Sequence, residues 1–210
     1  MAGITCLAWD GKLLLGTRDG VSVMHDRSGP RMLTPNLGPR AYITSIAPAK
    51  DGLWIADSGN RQVLHLGKSS KVTRTIGKGQ LIVPSPHLKV LIKPDGDLLV
   101  NNPGKLRVDT YSTAGVLKNS FGKASVGIDG FCGCCNPIDI ALLADGKIVT
   151  AEKGLPRVKV YNPDGTLESV VATPQQLSPR CQPQIAVNGQ GQILVLDAPA
   201  RLVRVFERIP

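Results

Sequence analysis

The stretch Ile138–Ala172, IDIALLADGKIVTAEKGLPRVKVYNPDGTLESVVA, contains four short runs of apolar and β-branched residues separated by turn signals. Asp145-Gly146 lies between the first two runs, and Asn162-Pro163-Asp164-Gly165 lies between the last two. An Asp-Gly pair between two such runs is among the strongest short-range signals of a β-hairpin. The stretch therefore predicts four consecutive antiparallel strands that form one small sheet.

The hairpin signal between the first two runs recurs along the chain at intervals of 41, 44, 50 and 45 residues. Its five instances are Asp10-Gly11, Asp51-Gly52, Asp95-Gly96, Asp145-Gly146 and Gln190-Gly191. Such a period matches one four-stranded blade of a β-propeller per repeat. Each pair is expected to form a two-residue type I′ turn, in which both central residues have positive φ. The sequence predicts an all-β fold, a β-propeller of about five four-stranded blades.

The fifth repeat stops after its third predicted strand, Leu202 to Phe206, and only residues 1–3 precede the first predicted strand. We therefore expect an incomplete last blade whose third strand has an unpaired edge. Three arrangements remain open: a five-bladed ring with one short blade, an incomplete piece of a six-bladed ring, or an edge that pairs with another chain. We expect one propeller domain over residues 1–210, with blades at about 4–39, 40–84, 85–133, 134–178 and 179–210.

Lys and Arg outnumber Asp and Glu by 25 to 16, so the surface field favours anionic partners. The positive charge is scattered, and three Phe, two Trp and three Tyr offer few stacking platforms for nucleic acid. No apolar run is long enough to span a membrane. Residues 1–5 lack the basic start and apolar stretch of a secretory signal. We expect either an intracellular protein or a processed or truncated form of an exported one.

Two segments carry a family resemblance. Leu53–Leu64, LWIADSGNRQVL, resembles the NHL repeat, in which an apolar strand ends in Asp-Ser-Gly-Asn-Arg and a second apolar strand follows. Gly130–Pro137, GFCGCCNP, together with Thr150–Tyr161, resembles a bacterial group of NHL-repeat proteins that carry an FCGCCNP segment. The resemblance covers most of the chain and implies an NHL-type propeller.

The loops can be sorted by face without coordinates. The loop before the first strand of a blade and the loop after its second strand emerge at the same end of the channel. We call this end the cysteine face. Its predicted polar residues are Asp57, Asn60, Asn101, Asn102, Asn136, Glu152, Lys153 and Asp197, and its predicted thiols and imidazole are Cys132, Cys134, Cys135, Cys181 and His87. A binding site, if the protein has one, is expected there.

The thiols of this face, with His87, have donor atoms suited to zinc, copper(I) or an iron-sulfur cluster. The Cys-x-Cys-Cys spacing is not a recognised zinc pair, and adjacent cysteines do not easily face one ion. A vicinal disulfide between Cys134 and Cys135, a disulfide from this segment to Cys181, and free packed thiols are the alternatives. A thiolate-bound metal is thus an open cofactor hypothesis, and the fold requires none. Cys6 is expected to be a buried strand residue.

Three pairs of opposite charge recur across the loop that follows the second strand: Asp57 with Arg61, Glu152 with Arg157, and Asp197 with Arg201. We interpret them as structural ion pairs that hold each loop.

No Ser-His-Asp pattern, phosphate loop or dinucleotide fingerprint is present, so no catalytic residue is predicted. We expect a noncatalytic NHL-type propeller that binds a protein partner, or forms a subunit of a larger assembly, through the cysteine face. One alternative is a thiol-based metal or redox module in an electron-transfer assembly. The other is a protein that binds RNA or another polyanion.

Overall fold

The computed structural model describes residues 3–25, 28–34 and 36–208. These residues form nineteen β-strands, grouped into five antiparallel sheets. Four sheets have four strands and the fifth has three. The fold is therefore all-β, a five-bladed β-propeller with an incomplete last blade, as the repeat predicted. No helix in the described part of the chain has the length and apolar character needed to cross a membrane.

The strands follow one another blade by blade. Blade 1 contains β1 (Cys6–Trp9), β2 (Leu13–Gly16), β3 (Val21–His25) and β4 (Gly29–Met32). Blade 2 contains β5 (Ile43–Ala49), β6 (Gly52–Asp57), β7 (Gln62–Gly67) and β8 (Val72–Ile76). Blade 3 contains β9 (Val90–Ile92), β10 (Leu98–Asn102), β11 (Arg107–Tyr111) and β12 (Leu117–Phe121). Blade 4 contains β13 (Asp139–Leu142), β14 (Ile148–Glu152), β15 (Arg157–Tyr161) and β16 (Leu167–Ala172). Blade 5 contains β17 (Gln184–Val187), β18 (Ile193–Asp197) and β19 (Leu202–Phe206).

The first strand of each blade lies innermost, because β1 contacts β5, β5 contacts β9, β9 contacts β13 and β13 contacts β17. The core consists of apolar layers between successive blades. In blade 4 all residues of the two middle strands, β14 and β15, are buried. These strands are covered by a neighbouring blade on both sides, so they read as nearly continuous apolar runs rather than as alternating ones.

The hairpins between the first two strands differ from the predicted type I′ turns. At all five pairs only the glycine has positive φ, for example +88° at Gly96, while its preceding residue does not. The N–H of Gly96 donates to the Lys93 carbonyl at 2.9 Å, and the N–H of Lys93 donates to the Asp97 carbonyl at 2.8 Å. This is a three-residue loop in which a turn is followed by a left-handed glycine. Asp95 accepts from the N–H of Asp97 at 3.0 Å, so its side chain closes the turn instead of adopting positive φ.

Side chains at two adjacent positions at the start of each innermost strand connect a blade to the next, and we call these the hook positions. The Thr5 hydroxyl donates to the carbonyl of Ile43, and the Thr44 hydroxyl donates to the carbonyl of Leu88 at 2.6 Å. The Lys89 ammonium lies 2.7 Å from the Asp139 carboxylate, and Asp139 accepts from the N–H of Ile185 at 2.8 Å. Thr5 and Thr44 occupy the first of these positions, and Lys89 and Asp139 occupy the second, so the hook positions join blade 1 to 2, 2 to 3, 3 to 4 and 4 to 5.

Candidate binding face at the channel mouth

A buried ion cluster lies beneath the cysteine face in blade 4. Glu152 ends β14, and its carboxylate lies 2.7 Å from Arg157 Nη2 and 2.8 Å from Lys159 Nζ. It also accepts from the N–H of Cys132 at 3.0 Å. The three charged side chains are at most 3% exposed. Burial lowers the pKa of Lys159, and the hydrogen bond with Glu152 opposes that shift.

The two cations of this cluster hold the backbone of the loop that connects blade 3 to blade 4. Arg157 donates to the carbonyls of Gly127 at 3.0 Å and Gly130 at 3.2 Å. Lys159 donates to the carbonyls of Gly130 at 2.7 Å and Ile128 at 3.1 Å. Hydrogen bonds from charged donors are stronger than neutral ones, so this loop has a well-defined backbone position.

The same loop presents apolar side chains to solvent. Val126 is 81% exposed and Ile128 is 48% exposed, whereas Phe131 at the end of the loop is fully buried. Sequence reasoning overlooked these two residues because they lie outside every predicted strand. The signal that could have found them is the Gly-rich run Ser125–Gly130, SVGIDG, which places two β-branched apolar residues in a loop.

Asn136 holds the FCGCCNP segment against blade 4. Its side-chain amide donates to the carbonyl of Cys132 and, at 2.9 Å, to that of Lys153. Its side-chain oxygen accepts from the N–H of Lys153 at 2.9 Å. The segment and the loop after β14 are thereby tied together.

The cysteines are all free thiols. Cys134 is exposed, and its Sγ lies 3.4 Å from that of Cys135, which is buried. Cys181 lies apart from this pair, in the core between blades 4 and 5, with its Sγ 3.9 Å from the Leu196 carbonyl. Burial raises the pKa of Cys181 to about 11 and that of Cys6 to about 12. Within the described ranges, no three side chains of His, Cys, Asp or Glu are placed to hold a metal ion.

His87 lies where loops of different blades meet at the channel mouth. Its ring lies near the side chain of Gln182, which precedes blade 5 and favours the protonated imidazole. Burial lowers the pKa of His87, and the nearby Lys153 ammonium acts in the same direction. Lys153 Nζ also donates to Ser85 Oγ at 3.2 Å. These contacts bring the loops before blades 3 and 5 and the loop after β14 together at one place.

Most of the polar residues predicted for the cysteine face lie below its surface. Six are buried: Asp57, Asn101, Asn102, Asn136, Glu152 and Asp197. Asn60 and Lys153 are partly exposed. The side chains of these buried residues form hydrogen bonds or ion pairs with other groups of the protein, because a buried polar group without a partner is unfavourable.

Asn101 shows how these buried residues are used. Its amide nitrogen donates to the carbonyl of Pro137 at 2.8 Å and to that of His87 at 3.0 Å. Its oxygen accepts from the N–H of Lys89 at 2.6 Å. One side chain therefore satisfies three backbone groups at the start of two innermost strands.

The predicted loop ion pairs are present in one blade of three. Glu152 pairs with Arg157 as expected, whereas Asp197 pairs with Arg204 at 2.8 Å rather than with Arg201. Asp57 is held instead by the N–H of Tyr42 at 3.0 Å and by the amide of Asn60 at 2.7 Å. The backbone conformation of Arg61 and Arg201 explains why the other two predicted pairs do not form.

Arg61 and Arg201 occupy the left-handed turn that leads into the third strand, with φ of +55° and +56°. Both are exposed there, while the side chain that reaches the Asp197 carboxylate comes from β19 itself. Sequence spacing alone does not separate these two kinds of position.

Asp197 also makes stability depend on pH. Burial opposes its ionisation, but hydrogen bonds from Arg204 and Ser178 outweigh that effect and lower its pKa to about 2. Asp in an unfolded chain has a pKa of about 3.9. Because the folded pKa is the lower one, the stabilisation is present above about pH 4 and is lost as the pH falls toward 2.

We therefore expect Asp197→Asn to be less stable than the wild type at about pH 6, with the difference shrinking as the pH falls from about 4 to 2. Urea unfolding of both proteins at about pH 6 and pH 2.5 measures it. A difference that is equal at the two pH values would contradict this assignment.

Comparison with known proteins yields no matching family model and no matching curated protein. Among solved structures, the chain is similar to virginiamycin B lyase from Staphylococcus aureus, with a TM-score of 0.70 and 13% identity over 98% of this chain and 70% of that one. It is also similar to a chain of a nidogen/laminin complex, with a TM-score of 0.70 and 16% identity over 92% of this chain and 77% of that one.

Glutaminyl cyclase from Myxococcus xanthus is a third similar structure, with a TM-score of 0.60 and 15% identity over 98% of this chain and 90% of that one. At such identities the similarity shows the β-propeller fold alone. The three proteins include two enzymes and a component of a protein complex, so the fold by itself does not choose between catalysis and binding.

Proposed function

We propose that this chain is a noncatalytic, NHL-type propeller that binds a protein partner through the cysteine face. The observation that carries the proposal is the loop between blades 3 and 4. Its carbonyls are held by Arg157 and Lys159, while Val126 and Ile128 stand exposed. Apolar side chains that stand exposed on a fixed backbone are suited to contact with another protein.

The order of the loop matters for affinity. A binding surface that must be ordered on association loses part of its interaction free energy to that ordering. Here the buried cluster of Glu152, Arg157 and Lys159 has already ordered the backbone. Apolar contacts made by Val126 and Ile128 therefore contribute to affinity without that loss.

The buried polar residues support a noncatalytic role. A catalytic set needs carboxylate or amide groups that can reach a substrate. The side chains of Glu152, Asn101 and Asn136 instead bond to cations or backbone groups of this chain. The residues of the cysteine face that remain accessible include the exposed Cys134 and the partly exposed Lys153.

Site-specific photocrosslinking in cells of the source organism tests the proposal. A benzophenone amino acid replaces Val126 in one variant and Val116 in a matched control. Val116 is 62% exposed and lies in the turn between β11 and β12, at the opposite end of blade 3. We expect one saturable adduct with a protein partner from position 126 and none from position 116.

Competition by unlabelled protein variants then tests whether Val126 and Ile128 contact the partner. Unlabelled wild-type protein is expected to abolish the adduct, and the V126D/I128D variant to compete about tenfold less well, as for loss of a central apolar contact. A V116D variant should compete as well as the wild type. Equal competition by all three proteins, or an adduct with RNA in place of protein, would contradict binding of a protein at this loop.

A further inference from the structure

Blade 5 has one face that its neighbour covers and one that it exposes. The exposed face consists of alternate residues of its three strands: Ala186, Leu194, Leu196, Val203 and Val205. Val203 is 59% exposed, Val205 is 53% exposed and Leu196 is 38% exposed. A soluble monomer rarely leaves a contiguous apolar sheet face of this kind uncovered.

Blade 1 has a comparable face at the other end of the repeat. Strand register places Leu7, Leu15 and Ser22 side by side on it, followed by Met32. Leu15 and Ser22 are buried, but Leu7 is 62% exposed, Met32 is 49% exposed, and Trp9 on the same side of β1 is 71% exposed. The two end blades thus both present large apolar side chains to solvent.

Blade 4 shows what covers the equivalent positions inside the propeller. Its residues that correspond to Leu194, Leu196, Val203 and Val205 are Val149, Ala151, Val158 and Val160. Their exposure is 0 to 5%, because they pack against blade 5 in one core cluster. The exposed face of blade 5 is therefore the surface on which, in the other blades, the next blade lies.

The hook positions lead to the same conclusion. In blades 1 to 4 a residue at one of the two hook positions bonds to the start of the next blade. Gln184 occupies the second hook position in blade 5, opposite Leu196, and is exposed. Ile4, which corresponds to the hook acceptors Ile43 and Leu88, is 57% exposed at the start of blade 1. Blade 5 therefore presents the side-chain amide of Gln184 at a hook position, and blade 1 presents Ile4 at the acceptor position.

We infer that the exposed faces of blades 5 and 1 are a docking surface for a further propeller blade from a partner polypeptide. The partner supplies a strand that pairs with the edge of β19, followed by a four-stranded blade with apolar faces on both sides. A second copy of this chain does not meet that need. It would bring five more blades, and propellers contain about four to eight.

The isolated chain provides the first test, because its two tryptophans differ. Trp9 is 71% exposed and Trp54 is 2% exposed. Acrylamide should quench the emission of Trp9 alone, and the chain should sediment as a monomer. Leu7→Glu and Val203→Glu should each change Tm by no more than about 2 °C, as expected for uncovered sites.

A drop in Tm of more than about 5 °C in both variants would show that the faces already pack against each other or against another copy. Sedimentation as a dimer with Trp9 protected would also overturn the inference in favour of self-association.

A supplied blade provides the second test. The full chain is extended at its C-terminus with a duplicate of residues 117–172, which contain an outer strand and the whole of blade 4. We expect the quenching constant of Trp9 to fall at least threefold. The control extension carries Val203→Glu and Val205→Glu in blade 5 and should leave Trp9 quenched. Unchanged quenching of Trp9, whether or not the extension folds, would contradict docking of a blade on these faces.

Discussion

Glu152→Gln is expected to lower the free energy of unfolding by about 3–5 kcal/mol, the largest effect of any single substitution that we predict. The reason is that Arg157 and Lys159 are almost fully buried, and Glu152 is the carboxylate that compensates both. Gln keeps the shape of the side chain but leaves two positive charges inside the protein. The loop that carries Val126 and Ile128 depends on the same two cations.

Thermal unfolding measures this effect. For a chain of this length about 1 kcal/mol corresponds to roughly 2–4 °C, so Tm should fall by roughly 6–20 °C. Glu168→Gln is the matched control. Its carboxylate lies 2.9 Å from Lys147 and 3.1 Å from Arg208, but this group is near the surface, with a side chain 24% exposed. We expect a change below about 1 kcal/mol there.

A double variant separates charge from packing. Combining Glu152→Gln with Lys159→Met removes one of the two unpaired cations, and we expect it to recover part of the lost Tm. If Glu152→Gln unfolds at the same temperature as Glu168→Gln, the cluster is not the element that holds the loop.

Asn101→Ala is expected to destabilise the protein by about 3 kcal/mol or more. It leaves the carbonyls of Pro137 and His87 and the N–H of Lys89 without their partner. Each buried polar group left unpaired costs about 1–3 kcal/mol. Asn101→Asp should be at least as destabilising, because it keeps the acceptor for Lys89 but places a buried carboxylate oxygen against the carbonyl oxygens of Pro137 and His87.

Asn119→Ala provides the comparison, since Asn119 is exposed on the outer strand β12 and should change stability by less than about 0.5 kcal/mol. Urea unfolding of the four proteins gives the order. An Asn101→Ala variant as stable as the wild type would show that this side chain does not hold the innermost strands, and its position at the channel mouth would then point to ligand binding.

The fold was predictable because its signal is repeated. Asp95-Gly96 and Asp145-Gly146 stand between apolar runs at the period of a blade, and the buried middle strands read as apolar stretches. The turn type was not predictable, since Asp-Gly occurs both in two-residue turns and in three-residue loops. The difference depends on whether φ of the Asp is positive, and sequence does not show that.

The site was predictable only in part. Strand order places Asn101 and Glu152 at the cysteine face, but a polar residue at a strand end can serve the backbone or a ligand, and burial decides which. In the structure Asn101 bonds to backbone groups, and Glu152 bonds to neighbouring cations. Val126 and Ile128 were missed because loop residues have no periodicity that would reveal their exposure.

The hook positions also restrict the order in which the blades can assemble. Blades 1 and 2 reach their successors with threonine hydroxyls, whereas blade 3 uses the Lys89 ammonium, which needs the carboxylate of Asp139 in blade 4. Similar repeats are prone to misassembly during folding. Another blade in the place of blade 4 would leave this partly buried ammonium without its carboxylate. The ion pair between blades 3 and 4 therefore favours the native order of otherwise similar sheets.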